Sequence, residues 1–317
     1  MDLRGKNNLL LNILIFLTFD LMLLGAAVRT MDAGLTCPDW PLCFGKAIPN
    51  YHFGVYLEFI HRAIAGVVGL LYVAFFVQVL RRSDLRPLRF LSWVGLFFLV
   101  AQIIMGGLTV LKLLEAYIVT LHLTLATAFL VILFVMKKVL SVKSQRSITL
   151  PPNKWSTWFK INLNLGIVFV FVQIILGGLV ATTYSGLVCI DFPTCNGQYF
   201  PALKGPIGIQ MIHRFGAYWL SFLIMCLYLV AMLKGSFVGL DRKQKVFVAQ
   251  IFMLLVTQVF VGVMNLKYLM PAFLSVFHLF LALMILLSLV RLHFSWAYQV
   301  EHRGGPSGLL RFLKSSR

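Results

Sequence analysis

Eight long, continuously apolar stretches are the feature that most restricts how this chain of 317 residues can fold. A helix needs about 20 apolar residues to cross the hydrocarbon core of a bilayer. Backbone groups inside lipid must bond within their own segment, so helices are expected there. A transmembrane barrel would instead require alternating apolar and polar residues. The sequence therefore predicts an all-α integral membrane protein with transmembrane helices at about residues 9–28, 55–80, 90–111, 116–136, 161–183, 207–233, 246–266 and 271–292.

The first of these stretches has a second interpretation, as a secretory signal peptide. It follows a short basic start and contains the small residues Ala26 and Ala27. However, it is long for the apolar region of a signal peptide. It also has a counterpart later in the chain, so we predict that it is retained as a span.

Charge and composition exclude other classes of protein. The chain is 60% hydrophobic and only 12% charged, and its formal net charge is +18. Such a chain is too apolar to be disordered, and five cysteines in 317 residues do not make a disulfide scaffold. A basic protein can be a nucleic-acid binder, but 21 of the 28 lysines and arginines fall on one predicted side of the membrane. Because basic loops are cytoplasmic, both termini are predicted there, and no nucleic-acid partner is expected.

The two halves of the chain repeat each other. A stretch that begins at Leu24 aligns without gaps with one that begins at Leu176, at an offset of 152 residues, and a later stretch aligns at an offset of 156. Self-similarity of this kind indicates a repeat architecture. Each half has four spans, so the halves are predicted to be tandem, parallel four-helix bundles related by an axis along the membrane normal. We assign residues 1–140 and 161–317 to the two bundles and residues 141–160 to a cytoplasmic linker.

Four of the seven histidines lie inside predicted spans, at matched positions in the two halves. Each is expected about 9–10 Å below the outer end of its helix. A single buried histidine could simply bond a neighbouring helix, but a duplicated set favours a function. Imidazole pairs across a bundle are suited to axial ligation of haem iron. Zinc or copper would need further ligands that the second half does not supply. The four histidines are His61, His122, His213 and His278.

An acidic residue distinguishes the two halves. Glu58 lies one helical turn before His61, whereas the equivalent residue before His213 is Gln210. An ionisable group within a span favours a function, and a carboxyl group can move protons or stabilise positive charge. The alternative is that Glu58 is hydrated or simply paired with Arg62. We therefore predict a reactive first half and a fixed cofactor in the second.

Two arginines follow the first histidine of each half. Arg62 and Arg214 could extend to the lipid headgroups or bind the propionates of a haem.

Two further kinds of polar residue lie within the spans. Asp20, in the first span, could bond a neighbouring helix or belong to a proton path, and we favour the structural interpretation. Gln102, Gln173 and Gln258 each precede a glycine by four residues, which indicates polar contacts between helices.

Cysteines occur as two pairs with the same spacing. Cys37 and Cys43 lie in the first predicted outer loop, and Cys189 and Cys195 lie in the third. The outer side is oxidising, so each pair is predicted to form a disulfide, which would stabilise the fold by about 2 kcal/mol. A redox relay at the first pair stays open. Cys226 is interpreted as a packing residue.

The order and spacing of these motifs resemble the haem A synthase family. The resemblance rests on the segment from Gly34 to Cys43, on Glu58, His61 and Arg62 after it, and on the arrangement of spans and histidines. It implies an oxidoreductase that converts the C8 methyl group of haem O into a formyl group, giving haem A for terminal oxidases.

The resemblance also implies roles for individual residues. His61 and His122 would flank the substrate haem O, and His213 and His278 would ligate a permanent haem b. Glu58 matches the catalytic glutamate of the family, and the first cysteine pair matches its functionally important loop.

Two other functions stay open at this stage. A b-type electron-transfer protein with two haems would explain four histidines but not the contrast between Glu58 and Gln210, and a haem transporter would bind without chemistry. The expected partners are haem O and membrane lipid, with a haem O synthase, oxidase assembly factors and further copies of this chain left open. The expected location is the cytoplasmic membrane of a prokaryote.

Overall fold

A computed structural model describes residues 3–141 and 154–301, and the helical membrane fold is confirmed there. Regular structure in the described ranges is helical, apart from two isolated backbone bridges. Within these ranges, eight helices are long and apolar enough to cross a membrane, so the protein is a multi-pass membrane protein. Their bounds are α1 Leu3–Thr30, α2 Phe53–Arg81, α3 Arg89–Leu111, α4 Ala116–Ser141, α5 Lys154–Thr182, α6 Gly205–Val238, α7 Arg242–Lys267 and α8 Ala272–Glu301.

The helices extend beyond most of the predicted apolar stretches. Polar residues continue a helix outside the hydrocarbon region, as where α5 begins at Lys154, inside the predicted linker. Residues 142–153 of that linker lie outside the described ranges. The turn from α6 to α7 has local causes: Gly239 adopts a left-handed conformation after α6, and Asp241 with Gln244 forms a capping box that starts α7.

Each half of the chain forms a closed ring of four helices. Helices α1 and α3 each contact both α2 and α4, and α5 and α7 each contact both α6 and α8. Helix α2 is therefore diagonally opposite α4, and α6 is diagonally opposite α8. The division of the sequence at residues 140 and 161 and the parallel relation of the halves stay predictions.

Three pairs of helices join the halves. Helix α4 contacts α5, α8 contacts α1, and α4 contacts α8. The first two contacts are equivalents of each other in the repeat. Near the ends of α1 and α5, Arg29 donates a hydrogen bond to the carbonyl of Ala181 (3.3 Å). Ala181 is the residue that is equivalent to Arg29 in the second half. Thr120 and Thr182 hydrogen-bond across α4 and α5 (3.0 Å).

An aromatic core fills the first ring away from the cysteine loops. Tyr72 and Phe75 are fully buried, and the Tyr72 ring meets Phe129 edge-on. The Tyr72 hydroxyl donates a hydrogen bond to the carbonyl of Ser92 on α3 (2.8 Å). This bond satisfies the hydroxyl group, which would find no hydrogen-bond partner in the hydrocarbon of a bilayer. Gly95, one turn further along α3, leaves the space that this hydroxyl occupies, because an added Cβ would overlap it.

We expect Gly95→Ala to destabilise the protein. The added methyl group displaces Tyr72 and breaks its bond to Ser92, and overpacking of this kind costs about 1–3 kcal/mol. Thermal unfolding in detergent measures the effect. Gly66→Ala is the control, since no atom lies within 4 Å of the added Cβ there, and equal melting temperatures for the two variants would contradict the prediction.

Candidate functional site

Each of the four intramembrane histidines packs against a glycine on the preceding helix. A Cβ added at that glycine would lie 3.0–3.3 Å from Cε1 of the imidazole. A larger residue would therefore push the ring away. Glycine leaves space for the imidazole to pack directly against the backbone of the preceding helix, and we call this glycine the seat of the histidine. The four seats are Gly25 for His61, Gly106 for His122, Gly177 for His213 and Gly262 for His278.

The histidines come together in pairs within each half. His61 on α2 and His122 on α4 are close enough to interact electrostatically, and so are His213 on α6 and His278 on α8. Their helices are diagonally opposite in each ring. The two imidazoles of a half therefore reach from opposite sides of the ring, which is the arrangement that a haem between two axial ligands requires.

The imidazole rings are held by groups on neighbouring helices. The Nδ1 atom of each ring is buried, and the backbone carbonyls of Leu21 and Gln258 lie within reach of the rings of His61 and His278. A histidine that ligates iron binds the metal through one ring nitrogen while the other faces protein groups of this kind. Gln258 lies 3.2 Å from Nε2 of His278, and Gln173 donates to the carbonyl of His213 (2.9 Å). These two glutamines thus make the predicted contacts between helices.

The alternative metals find no ligand set in the described residues. No three histidine, cysteine, aspartate or glutamate side chains of those ranges come together as a metal cluster. Zinc and copper sites in proteins are built from three or four such side chains. Pairs of imidazoles without a third protein ligand fit a haem better.

Both cysteine pairs are disulfide-bonded, as predicted, and both loops share one conformation. Cys37 bonds Cys43, and Cys189 bonds Cys195. In the first loop the carboxylate of Asp39 accepts the N–H groups of Gly45 (2.7 Å) and Phe44 (2.6 Å). The bond from Gly45 contributes most to holding the pKa of Asp39 below its ordinary value. Asp191 caps the second loop in the same manner, and the Thr194 hydroxyl is the main cause that lowers its pKa.

The first cysteine loop lies across one end of the first ring. Trp40 covers Gly107 on α3, since a Cβ added there would lie 3.3 Å from the indole. Gly34 packs against Leu114 in the turn between α3 and α4, at 3.2 Å from a built Cβ. The loop thus closes the end of the ring nearest to the histidines.

An arginine clamps this loop to α2. Nη1 of Arg62 donates to the carbonyls of Asp39 (2.6 Å) and Leu42 (2.5 Å), and Nη2 donates to the carbonyl of Cys37 (3.2 Å) and to Oε1 of Glu58 (2.6 Å). The terminal nitrogens are thereby engaged.

Arg214 repeats the clamp in the second half. It donates to the carbonyls of Asp191 (2.9 Å), Thr194 (2.7 Å) and Cys189. It does so without a carboxylate, because Gln210 instead donates to the carbonyl of Gly186 (3.3 Å). Holding the loop is therefore a property of the arginine in both halves, and it does not require Glu58.

Glu58 is buried, with 5% of its side chain exposed, and it has three partners. Oε1 accepts from Arg62, and Oε2 accepts from the backbone N–H of Cys37 (2.9 Å) and contacts the hydroxyl of Thr36 (3.0 Å). The pairing with Arg62 that the sequence allowed is present. The sequence interpretation missed Thr36, although the repeat held a signal: the equivalent residue at the offset of 152 is Val188.

Two other predicted residues lie apart from these contacts. Asp20 is half-buried in α1, and its structural role stays a prediction. Cys226 is a free, half-buried cysteine in α6, in agreement with a packing role.

The fold and the site together define a class of protein. It is a multi-pass helical membrane protein that presents a pair of histidines in each of two helical rings, beneath a disulfide-bonded loop. The chain belongs to the cytochrome oxidase assembly protein family (COX15-CtaA), whose family model matches residues 8–290.

Curated relatives carry a narrower name. The chain is 31% identical over 208 residues to a protein named Heme A synthase from Alkalihalophilus pseudofirmus. This alignment covers 64% of this chain and 69% of the relative. Longer alignments match proteins of the same name from Neorickettsia sennetsu (28% over 323 residues, 87% of this chain and 94% of the relative) and Rickettsia bellii (26% over 334 residues, 88% and 94%).

We expect Arg62→Gln to loosen the first cysteine loop. The change removes one partner of a buried charge pair, which costs about 3–5 kcal/mol, so the Cys37–Cys43 disulfide should be reduced at least about tenfold faster. The rate is measured by dithiothreitol treatment, alkylation and mass spectrometry. The Cys189–Cys195 bond of the same molecule is the internal control, and Arg214→Gln should reverse the pattern. Equal rates for both loops in Arg62→Gln would contradict the clamp.

Proposed function

We propose that this protein is a haem A synthase, which oxidises the C8 methyl group of haem O to a formyl group. The observation that carries the proposal is the buried carboxylate of Glu58, which lies beside the first histidine pair and is replaced by Gln210 beside the second. Membership of the family and the name shared by the relatives support it.

The two histidine pairs are assigned different haems in this proposal. His61 and His122 hold the substrate haem O beside Glu58, and His213 and His278 ligate a resident haem b. The glycine contacts that fix the four imidazole rings support ligation in both halves. A bound haem b would supply a redox centre that can receive and pass on single electrons.

Glu58 has the environment of a group that handles charge. Arg62 and the N–H of Cys37 donate hydrogen bonds to its two oxygens, and only 5% of its side chain is exposed. A carboxylate so placed can accept protons that leave the substrate or stabilise positive charge that develops beside it. Gln210 can do neither, so oxidation of the methyl carbon is assigned to the first half. Each of the two steps, to the alcohol and then to the aldehyde, releases two protons and passes two electrons to an external acceptor, and the first step also adds an oxygen atom at the level of water.

The predicted contacts of Arg62 and Arg214 with haem propionates have less support than their role as loop clamps. The terminal nitrogens of Arg62 are all engaged by the loop and Glu58. Nε of Arg214 is buried without a partner among the described residues. The loop contacts use only the terminal nitrogens of both arginines, so Nε is the donor that remains for a propionate in each.

We place the protein in the cytoplasmic membrane of a bacterium, with both termini in the cytoplasm and the cysteine loops outside. The asymmetry of lysines and arginines supports this orientation. Haem O reaches it from a haem O synthase, and haem A passes to terminal oxidases. Electron transfer alone and haem transport alone gain no support from the relatives.

Haems extracted from cells that make this protein together with a haem O synthase test the proposal. We expect formyl haem in the chromatogram. Glu58→Gln should keep the bound haem but stop product formation, because the amide cannot take up a proton. The matched control is Gln210→Glu, which should still form haem A.

Two outcomes of that experiment would count against the proposal. Absence of any formyl haem with the unaltered protein would remove the enzyme assignment. Full activity of Glu58→Gln would remove Glu58 from the chemistry and leave it as a partner of Arg62.

The resident haem has a separate spectroscopic test. We expect His213→Ala and His278→Ala to lose the low-spin haem b signal in the reduced-minus-oxidised spectrum of the purified protein, because each removes one axial ligand. His61→Ala and His122→Ala are the controls and should keep that signal. An unchanged spectrum in His213→Ala would refute the assignment.

A further inference from the structure

Thr36 joins the first cysteine loop to Glu58. It immediately precedes Cys37 and is half-buried. Its Oγ1 lies 3.0 Å from Oε2 of Glu58, 2.8 Å from the carbonyl oxygen of Ala33 and 3.0 Å from the carbonyl oxygen of Gly54. The hydroxyl is thus within hydrogen-bond distance of three oxygens at once.

A hydroxyl has one proton to donate and two lone pairs with which to accept. When Glu58 is ionised, Thr36 can donate its proton to Oε2. When Glu58 carries a proton on Oε2, that O–H can donate to Oγ1, and the hydroxyl turns its own proton to the carbonyl of Ala33 or Gly54. Both states are fully hydrogen-bonded, and no heavy atom has to move between them.

The other partners of Glu58 cannot do this. Arg62 and the N–H of Cys37 only donate hydrogen bonds, so neither can accept one from the O–H group of a protonated Glu58. An O–H group left without an acceptor in a buried site costs free energy. Among the three partners of Glu58, Thr36 alone can accept a proton from it in a hydrogen bond.

The second half lacks both members of this pair. Val188 stands in the place of Thr36, and Gln210 stands in the place of Glu58. An amide does not change its protonation state, so it needs no partner that can switch between donating and accepting. The hydroxyl therefore occurs where an ionisable group occurs, in a scaffold that is otherwise repeated.

We propose that Thr36 is a positioning residue whose hydroxyl reverses its hydrogen bond as Glu58 gains and loses a proton, so that the carboxyl group stays in place in both states. The proposal rests on the proposed function for its consequence in catalysis. Each reversal moves one proton onto or off Oε2 and leaves the covalent bonds of Thr36 unchanged.

Two variants separate the hydroxyl from the rest of the side chain. Thr36→Val keeps the volume and the methyl group that lies against Gly54 but removes the hydroxyl. Thr36→Ser keeps the hydroxyl and removes that methyl group. In the full-length protein with haem O, we expect Thr36→Val to lower kcat by about tenfold or more, with KM unchanged. Thr36→Ser should retain most of kcat, and Val188→Thr should match the unaltered protein.

Infrared spectroscopy supplies a readout that does not depend on turnover. At acidic pH, the C=O band of protonated Glu58 is identified as the band that Glu58→Gln removes. We expect Thr36→Val to move this band to the higher frequency of a carboxylic acid that donates no hydrogen bond, and Thr36→Ser to leave it unmoved.

The outcomes are distinct. An unmoved band in Thr36→Val overturns the proposal whatever the activity, and so does equal loss of kcat in the valine and serine variants, which would indicate packing alone. A shifted band without haem A formation by the unaltered protein would retain the hydrogen-bond switch and reject the proposed function. A shifted band with a selective loss of kcat in Thr36→Val supports both.

Discussion

The contact between a buried imidazole and a glycine on the preceding helix occurs four times, and the rest of the site depends on it. It brings two helices close enough to fix the ring of the histidine, and it does so at equivalent places in α1–α2, α3–α4, α5–α6 and α7–α8. Each helix pair thus delivers one imidazole. Two such pairs close a ring, and the ring brings its two histidines together from diagonally opposite helices.

Residues that occur in both halves can be distinguished from residues that occur in only one. The first group is explained by structure, and the second is expected to carry the chemistry. The disulfide, the aspartate that caps the loop and the arginine that clamps it occur twice. They are therefore explained by the fold of the loop. Glu58 and Thr36 occur once, and their counterparts Gln210 and Val188 have side chains that do not ionise. In the proposed function, these two side chains beneath the first loop distinguish the site that alters haem O from the site that holds a resident haem.

The spans and the paired histidines could be predicted because their causes are local or repeated. Lipid requires long apolar helices, and the offset between the halves aligns His61 with His213 and His122 with His278. The glycine seats and the arginine clamps were not predicted. Gly25 contacts His61 only through the register of two helices, and Arg62 bonds Asp39 only because the loop folds back over α2. Neither the register nor the loop path leaves a periodic signal in the sequence. Thr36 was missed for a different reason: its counterpart was visible, but its importance depends on its distance from Glu58.

The hydrogen bond between Arg29 and the carbonyl of Ala181 joins two positions that are equivalent in the repeat. The predicted axis between the halves would pass close to this hydrogen bond, because equivalent residues can meet only near such an axis. The contacts of α4 with α5 and of α8 with α1 then correspond to the two matching patches of an isologous dimer. A true dimer of identical four-helix subunits would have to place the same residue at both of its sites. Joining the two units in one chain removes that restriction, so a glutamate can be kept at one site and replaced at the other while the interface between them is preserved.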